Sequence, residues 1–475
     1  MLLELGQVIS LCANGGLILI GALLTWLILW KLKLGTKNKN LLFLLFMFYW
    51  IGPLMTRDYT GLIQLSFGLH DHGLLLIWPL LVYGIIGLFW RPLSDVLSFK
   101  FNSRKKVLYL SIGLQFACLI PMIVYPCLAT NIVQSTGAGI GASCIGLFNL
   151  MFNEQDARRK TMSVVSILAI PPILAQFFAS GLMSMVTTFE TAFDTKEQFV
   201  DILWWMWVAA LLFAVVCFII TTRVKEREET LYRNNVIKEP IKTKHDYFGL
   251  VLVCFMAMCT TLIRWATAGP TASIQIAYLG LIRSTDTRFY EGYGSLIHTI
   301  GQFAGVLLTS FVIAKPSQKK KIMLMGLSTA SCIVYLLVIS LYTTIPIFMG
   351  MNALNGFSYG LVYTIIIGIA LNKFFIKTEK ITPVGIYNLF LSLGICIGNI
   401  IHCVLKAQIF DQIRGFTTLG EAEFKQANAM VNMICAAFAV GMFVAYLIFA
   451  LNEKKHPPIQ MERKSHWAKI RDTEL

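Results

Sequence analysis

The chain has 475 residues, 56% of them hydrophobic and only 14% charged, with a mean hydropathy of +0.69. A soluble globular domain carries about 25% charged residues, so these values exclude one and describe a membrane protein. The formal net charge of +15 sits mainly in short loops between apolar runs, which is an orientation pattern and not a nucleic-acid surface.

Apolar runs fall at about 8–30, 41–67, 73–97, 107–129, 131–153, 162–188 and 202–222. After a polar stretch they resume at about 247–281, 290–314, 322–342, 346–372, 381–407 and 428–451. Runs of about 20 residues suit helices that cross a hydrocarbon core, and the short alternating segments of a barrel are absent. The expected fold is an all-α polytopic membrane protein, with two six-helix halves forming a 12-helix core plus one extra N-terminal transmembrane helix. The expected divisions are 1–40 for the extra helix and a basic linker, 41–222 and 247–451 for the halves, 223–246 for a cytoplasmic linker, and 452–475 for a cytoplasmic tail.

Charge orients these helices. The linkers at 31–40, 99–106, 223–245, 315–321 and 372–380 are basic, and the tail adds Lys454, Lys455, Arg463 and Lys464. Between them, 187–201 is acidic and 407–427 mixed. Every second loop is thus expected in the cytoplasm together with the C-terminus, with the N-terminus outside and the chain in the cell membrane. Segment 8–30 is too long for a signal-peptide core and has only Glu4 before it, so it is expected to stay as a helix. The 11 cysteines lie in or beside apolar runs with no C-x-x-C pair, which suits packing rather than metal binding. His70 and His72, flanking Asp71, give only weak support for a metal in a short outer loop. No metal, cofactor or nucleic acid is expected, and the chain is expected to be a monomer in the lipid bilayer.

Two six-helix halves joined by a charged linker resemble the major facilitator transporters, and three stretches carry the likeness. RPLSDVLSFKFNSRKK (91–106) is similar to that family's loop signature G-x-x-x-D-R-x-G-R-K. Asp95 and the cluster Arg104, Lys105 and Lys106 are kept, but Arg91 replaces the glycine and Val96 the arginine. FNEQDARRKTMSVVSILAIPPIL (152–174) is similar to the connection between the fourth and fifth helices, with Glu154, Arg158 and Arg159 as orientation or gating charges. ITPVGIYNLFLSLGICIGNII (381–401) resembles the glycine-rich penultimate helix, where small residues allow close approach. The resemblance implies alternating access between the halves, with Asp95, Arg91 and Arg104 as gating residues.

Two arginines stand inside apolar runs. Arg57, beside Asp58, lies sixteen residues after Leu41, and Arg264 lies seventeen after Tyr247, so they hold nearly equivalent places in the two halves. An arginine at the bilayer centre costs about 2.5–3.5 kcal/mol by insertion scales. The bland alternative ends the first helix at Gly52-Pro53 and leaves Arg57 and Asp58 extracellular. Guanidinium groups bind carboxylate and phosphate bidentately, and symmetry-related positions converge on one central site. The pair therefore points to a small anionic substrate.

One arginine on the first and one on the seventh core helix also resembles the organophosphate:phosphate antiporters. Their second-helix Tyr-Gly-x-x-Lys reads here Tyr83-Gly84-Ile85-Ile86-Gly87, without the lysine. Their first-helix Arg-Lys is here Arg57-Asp58, and their fifth-helix histidine has no counterpart, although a Pro-Pro pair is present. The resemblance implies Arg57, Arg264 and Tyr83 as substrate ligands. The departures remove about three positive charges relative to that pattern, favouring a monoanion, carboxylate or zwitterion over a doubly charged ester. No P-loop is present, so an exchange partner, counter-ion or proton must drive transport.

Asp58 and His298 are the candidate coupling groups. If they carry protons, the alternative is a proton-coupled symporter or exporter of a neutral or cationic solute. His402 is a further histidine, and Asn355, Asn388 and Gln302 suit either a cavity lining or helix–helix hydrogen bonds. An enzyme would need its titratable residues clustered at one membrane face, and here they are scattered.

Overall fold

Long apolar runs punctuated by glycine, alanine, serine and threonine form helices, because a backbone in hydrocarbon must satisfy its own hydrogen bonds. The computed structural model describes residues 78–144, 146–148, 151, 169–176, 196–224, 244–278, 297–309, 318–341, 345–374, 383–412 and 421–455, with a few positions between 16 and 47. These residues form α1 (Trp78–Phe101), α2 (Arg104–Val124), α3 (Leu128–Ser143), α4 (Lys196–Arg223) and α5 (Lys244–Tyr278). They continue through α6 (Ile297–Thr309) and then α7 (Gln318–Leu341), α8 (Ile345–Phe374), α9 (Pro383–Gln412) and α10 (Glu421–Lys455). No strand occurs among the described residues.

Arg57, Asp58, the 70–72 loop and the 152–160 cluster lie outside the described residues. So do most of 8–30, 225–243 in the linker and the tail from 456, as well as the side chain of His402.

The packing runs in two groups. In one, α3 packs against α1 and α2, and α2 against α4. In the other, α5 packs against α8, α9 and α10, and α7 against α8 and α10. The groups meet where α1 lies on α9. Large apolar side chains such as Phe89, Trp205, Leu212, Met433 and Val440 stay more than half exposed, which is the surface a lipid-facing helix presents. Four described stretches, Arg104–Val124, Phe248–Thr267, Lys319–Leu341 and Ala429–Asn452, are long and apolar enough to cross a membrane.

Glycine sets how closely the helices approach. On α6 and α8 it recurs at a spacing of four, Gly301 and Gly305 facing Gly356 and Gly360. A Cβ at any of these would strike the partner's backbone at Ala353, Phe357, His298 or Gln302. On α9, Gly394 and Gly398 bring that helix onto α5 at Met258, Thr261, Leu262 and Trp265, the close approach expected of the 381–401 stretch. Lipid tails are as apolar as leucine, so such contacts hold by dispersion and shape rather than by the hydrophobic effect.

Many buried hydroxyls bond a carbonyl of their own or a neighbouring helix. Thr260 donates to the Met256 carbonyl at 2.8 Å and Thr267 to Ile263 at 2.6 Å. Ser328 and Ser358 tie α7 to α8 reciprocally, each donating to the other's carbonyl, at 2.8 and 2.7 Å.

Replacing Gly356 by valine forces α6 and α8 apart and is expected to destabilise the protein by about 1–3 kcal/mol, the usual cost of overpacking. The thermal midpoint of the detergent-purified variant checks this, and Gly350→Ala, where an added Cβ meets nothing within 4 Å, is the matched control.

Candidate functional site

The turn between α1 and α2 is only two residues long, and it decides which charges meet. Asn102 takes φ 47, the left-handed conformation that ends α1 and that asparagine tolerates better than most residues. Ser103 N–H then reaches back to the Ser98 carbonyl at 3.1 Å, a six-to-one closure of the helix end. The Ser103 hydroxyl caps α2 by accepting from Lys106 N–H at 3.2 Å.

With that reversal in place, the three basic residues opening α2 go separate ways. Arg104 turns inward and lies 3.9 Å from the Asp95 carboxylate, both side chains almost wholly buried. Lys105 donates to the Thr222 and Val224 carbonyls at 2.8 and 2.9 Å, placing a cation at the C-terminal end of α4. Lys106 is exposed. At the other end of this antiparallel pair, Trp204 Nε1 donates to the Ile123 carbonyl at 2.9 Å.

One helical turn before Asp95, Arg91 crosses between the two groups of helices. Its Nη1 donates to the carbonyl of Asn388 on α9 at 3.4 Å and to Asn388 Oδ1 at 3.5 Å. Arg91 is 7% exposed, and its Nε has no hydrogen-bond partner. A narrow slot opens beside it, walled by Tyr83, Gly87, Arg91 and Ser143 on one side and by Ser392 and Ile395 on the other. Its free volume is about 10 Å³, room for about one water.

Gly87 occupies the register at which the antiporter pattern has lysine, and Arg91 stands one turn, about 6 Å, further along the same helix. Gly87 and Arg91 line the same slot. The sequence marked Arg91 as a substitution in the loop signature and as a gating residue. Asn388 and Ser392, one turn apart on α9, were the available signal for its partners.

Further along α1, the Tyr83 ring packs on Trp265 of α5, centroids 5.9 Å apart and planes inclined at 35°. Arg264, the preceding residue, holds its guanidinium carbon 4.1 Å above the ring of Tyr359 on α8. It is half-buried, and no described acidic residue pairs with it. A cation over an aromatic face gains about 0.5–2 kcal/mol without neutralising the charge. Trp265 and Tyr359 were not singled out from sequence, although Trp265 adjoins Arg264.

Tyr83 thus packs on the chain neighbour of Arg264 and lines the slot with Arg91, whereas Asp95 and Arg104 pair nearer the loop end of α1. His298 is buried on α6 where that helix crosses α8 at Gly356, and Gln302 and Asn355 are buried at the same crossing. Arg57 and Asp58 lie outside the described residues. No cluster of His, Cys, Asp or Glu fit to hold a metal occurs among the described residues.

The sequence pattern of the Major Facilitator Superfamily matches residues 40–399. No curated protein sequence matches. Among solved structures, the human organic anion transporter MFSD10 (TETRAN) superposes with a TM-score of 0.61 at 12% identity, over 87% of this chain and 100% of that one. The nucleoside transporter NupG, solved as a point mutant, gives 0.59 at 14% identity over 86% and 100%. A bacterial homologue of the human lysosomal transporter Spinster, inward-facing and unoccupied, gives 0.56 at 11% identity over 89% and 98%. At these identities the likeness is one of fold.

Removing one member of a buried ion pair strands the other. Asp95→Ala is expected to cost about 3–5 kcal/mol, and the double change Asp95→Leu with Arg104→Met is expected to restore most of it. Thermal midpoints of the three purified proteins check this; equal loss in the single and double variants would show that Asp95 and Arg104 are not coupled.

Proposed function

The chain belongs to the Major Facilitator Superfamily and is a secondary transporter, not an enzyme, and we propose that its cargo is a small organic anion moved by alternating access. The fold serves an organic anion transporter and a nucleoside transporter alike, so the cargo is argued from the site. The observation that carries the reading is Arg264: an intramembrane guanidinium resting on Tyr359 with no described acidic partner. An arginine so placed is costly unless an anion completes it.

In this reading Arg57 supplies the symmetry-related guanidinium from the first half and Tyr83 donates a hydrogen bond. The 41–222 and 247–451 halves rock about the site. The Asp95–Arg104 pair and the Arg91–Asn388 contact work as the gate at the basic-loop end, which we take to be cytoplasmic. Asp58 and His298 are the candidate coupling groups, for a proton or counter-ion. A monoanion or carboxylate suits the charge balance better than a doubly charged phosphate ester, because Asp58 offsets part of the positive charge.

Proteoliposomes loaded with phosphate or an organic anion, tested for uptake of labelled carboxylates and phosphate esters, examine this directly. Arg264→Gln is expected to lower anion uptake at least about tenfold, the worth of one charge-assisted hydrogen bond, with Arg264→Lys intermediate. Uptake of a neutral solute that survives both substitutions, with no anion exchanged, overturns the anion reading. Loss of pH-driven uptake in Asp58→Asn with anion affinity intact assigns coupling to Asp58.

A further inference from the structure

Arg91 presents a problem that cargo binding at Arg264 does not solve. It is 7% exposed, its Nε has no hydrogen-bond partner, and no described carboxylate pairs with it. Its two bonds, at 3.4 and 3.5 Å, are long and go to neutral oxygens of Asn388. Across the slot, Ser392 is 1% exposed and its hydroxyl also lacks a partner. A buried cation and a buried hydroxyl, both without sufficient partners, thus face one small space.

We propose that this slot is a binding site for a halide-sized inorganic anion, chloride being the ordinary occupant, held by Arg91 and Ser392. Charge selects an anion: a water would satisfy hydrogen bonds and leave the guanidinium uncompensated in a low-dielectric interior. Size favours a small monatomic ion over a carboxylate or phosphate ester, because the free volume is about 10 Å³, close to one water, and a halide, slightly larger, fits as the walls give.

The donors agree with that assignment. Ser143 gives its proton to the Gly139 carbonyl at 2.6 Å, which leaves Ser392 Oγ and Arg91 Nε as the unpartnered donors on the slot-lining residues. Gly87 keeps the space between the serines clear, since a Cβ there would stand 3.5 Å from Ser392 Oγ and 3.6 Å from Ser143 Oγ.

The walls come from both groups of helices: Tyr83, Gly87, Arg91 and Ser143 from α1 and α3, Ser392 and Ile395 from α9. The anion is therefore held only while α1 and α9 are in contact, so it favours that conformation by mass action. This makes the slot a chloride-sensitive latch, and it stands whether or not the cargo is an anion.

The test uses the full-length protein purified in sodium gluconate and titrated with chloride or bromide at fixed ionic strength. A saturable rise in thermal midpoint is expected with both halides, with a bromide anomalous peak beside Arg91 in crystals. Arg91→Gln abolishes the shift, and Ser392→Ala raises the half-saturating halide concentration about tenfold, the loss of one hydrogen bond to a charged group. Arg264→Gln keeps the shift.

Absence of halide dependence in the unaltered protein overturns the proposal, since the slot then holds only water. A shift that persists in Arg91→Gln also overturns it, as does one lost in Arg264→Gln, which moves the ion to the cargo site. Should Arg91→Gln fail to fold, an unchanged half-saturation in Ser392→Ala overturns it alone. Failure of organic-anion uptake leaves these outcomes untouched.

Discussion

The structure depends on one constraint: a hydrocarbon interior offers no water to an unpaired polar group. Departures from apolar sequence call for partners within the protein, and many of the helix contacts supply them. Threonine and serine hydroxyls return to carbonyls one turn back, as at Thr260 and Thr267. Lys105 answers carbonyls left open at the end of α4. Arg104 meets Asp95. Small residues are the counterpart on the steric side, because polar groups on neighbouring helices meet only if the backbones come close. Gly394 and Gly398 do this for α9 on α5, and the paired glycines of α6 and α8 do it there.

Against this background the arginines that turn into the helix packing divide into kinds. Arg104 has a carboxylate. Arg264 has an aromatic face, which stabilises a cation without cancelling its charge. Arg91 has only the neutral oxygens of Asn388. The last two lie on different helices, Arg264 in the middle of α5 and Arg91 in the middle of α1. Tyr83 stands between them, packing on Trp265 and lining the slot beside Arg91.

The meeting of α1 and α9 links them. Along α1, Tyr83 reaches Trp265, Gly84 comes close to Cys396, Gly87 faces Ser392, and Arg91 bonds Asn388. Two small residues and two long polar ones, spaced along one helical stripe, form the seam between the two groups of helices. A change in how the groups sit must reorganise that seam, because packed interfaces switch between discrete arrangements rather than deform smoothly.

The sequence by itself determined the membrane class, the helical fold and the family likeness, because hydrophobic length and the placement of basic loops are local properties of the chain. It also marked Arg91, Asp95, Arg104, Tyr83 and Arg264 as polar residues in an apolar setting that needed an explanation. Which of them pair was decided only in three dimensions. The two-residue turn at Asn102–Ser103 sends Arg104 to Asp95 and Lys105 to α4, though the two are neighbours in sequence with the same charge. Arg91 finds Asn388 almost three hundred positions away, and Arg264 finds Tyr359 on another helix. Partner choice depends on how closely helices approach and which faces they turn to each other, and those follow from packing among all of them together.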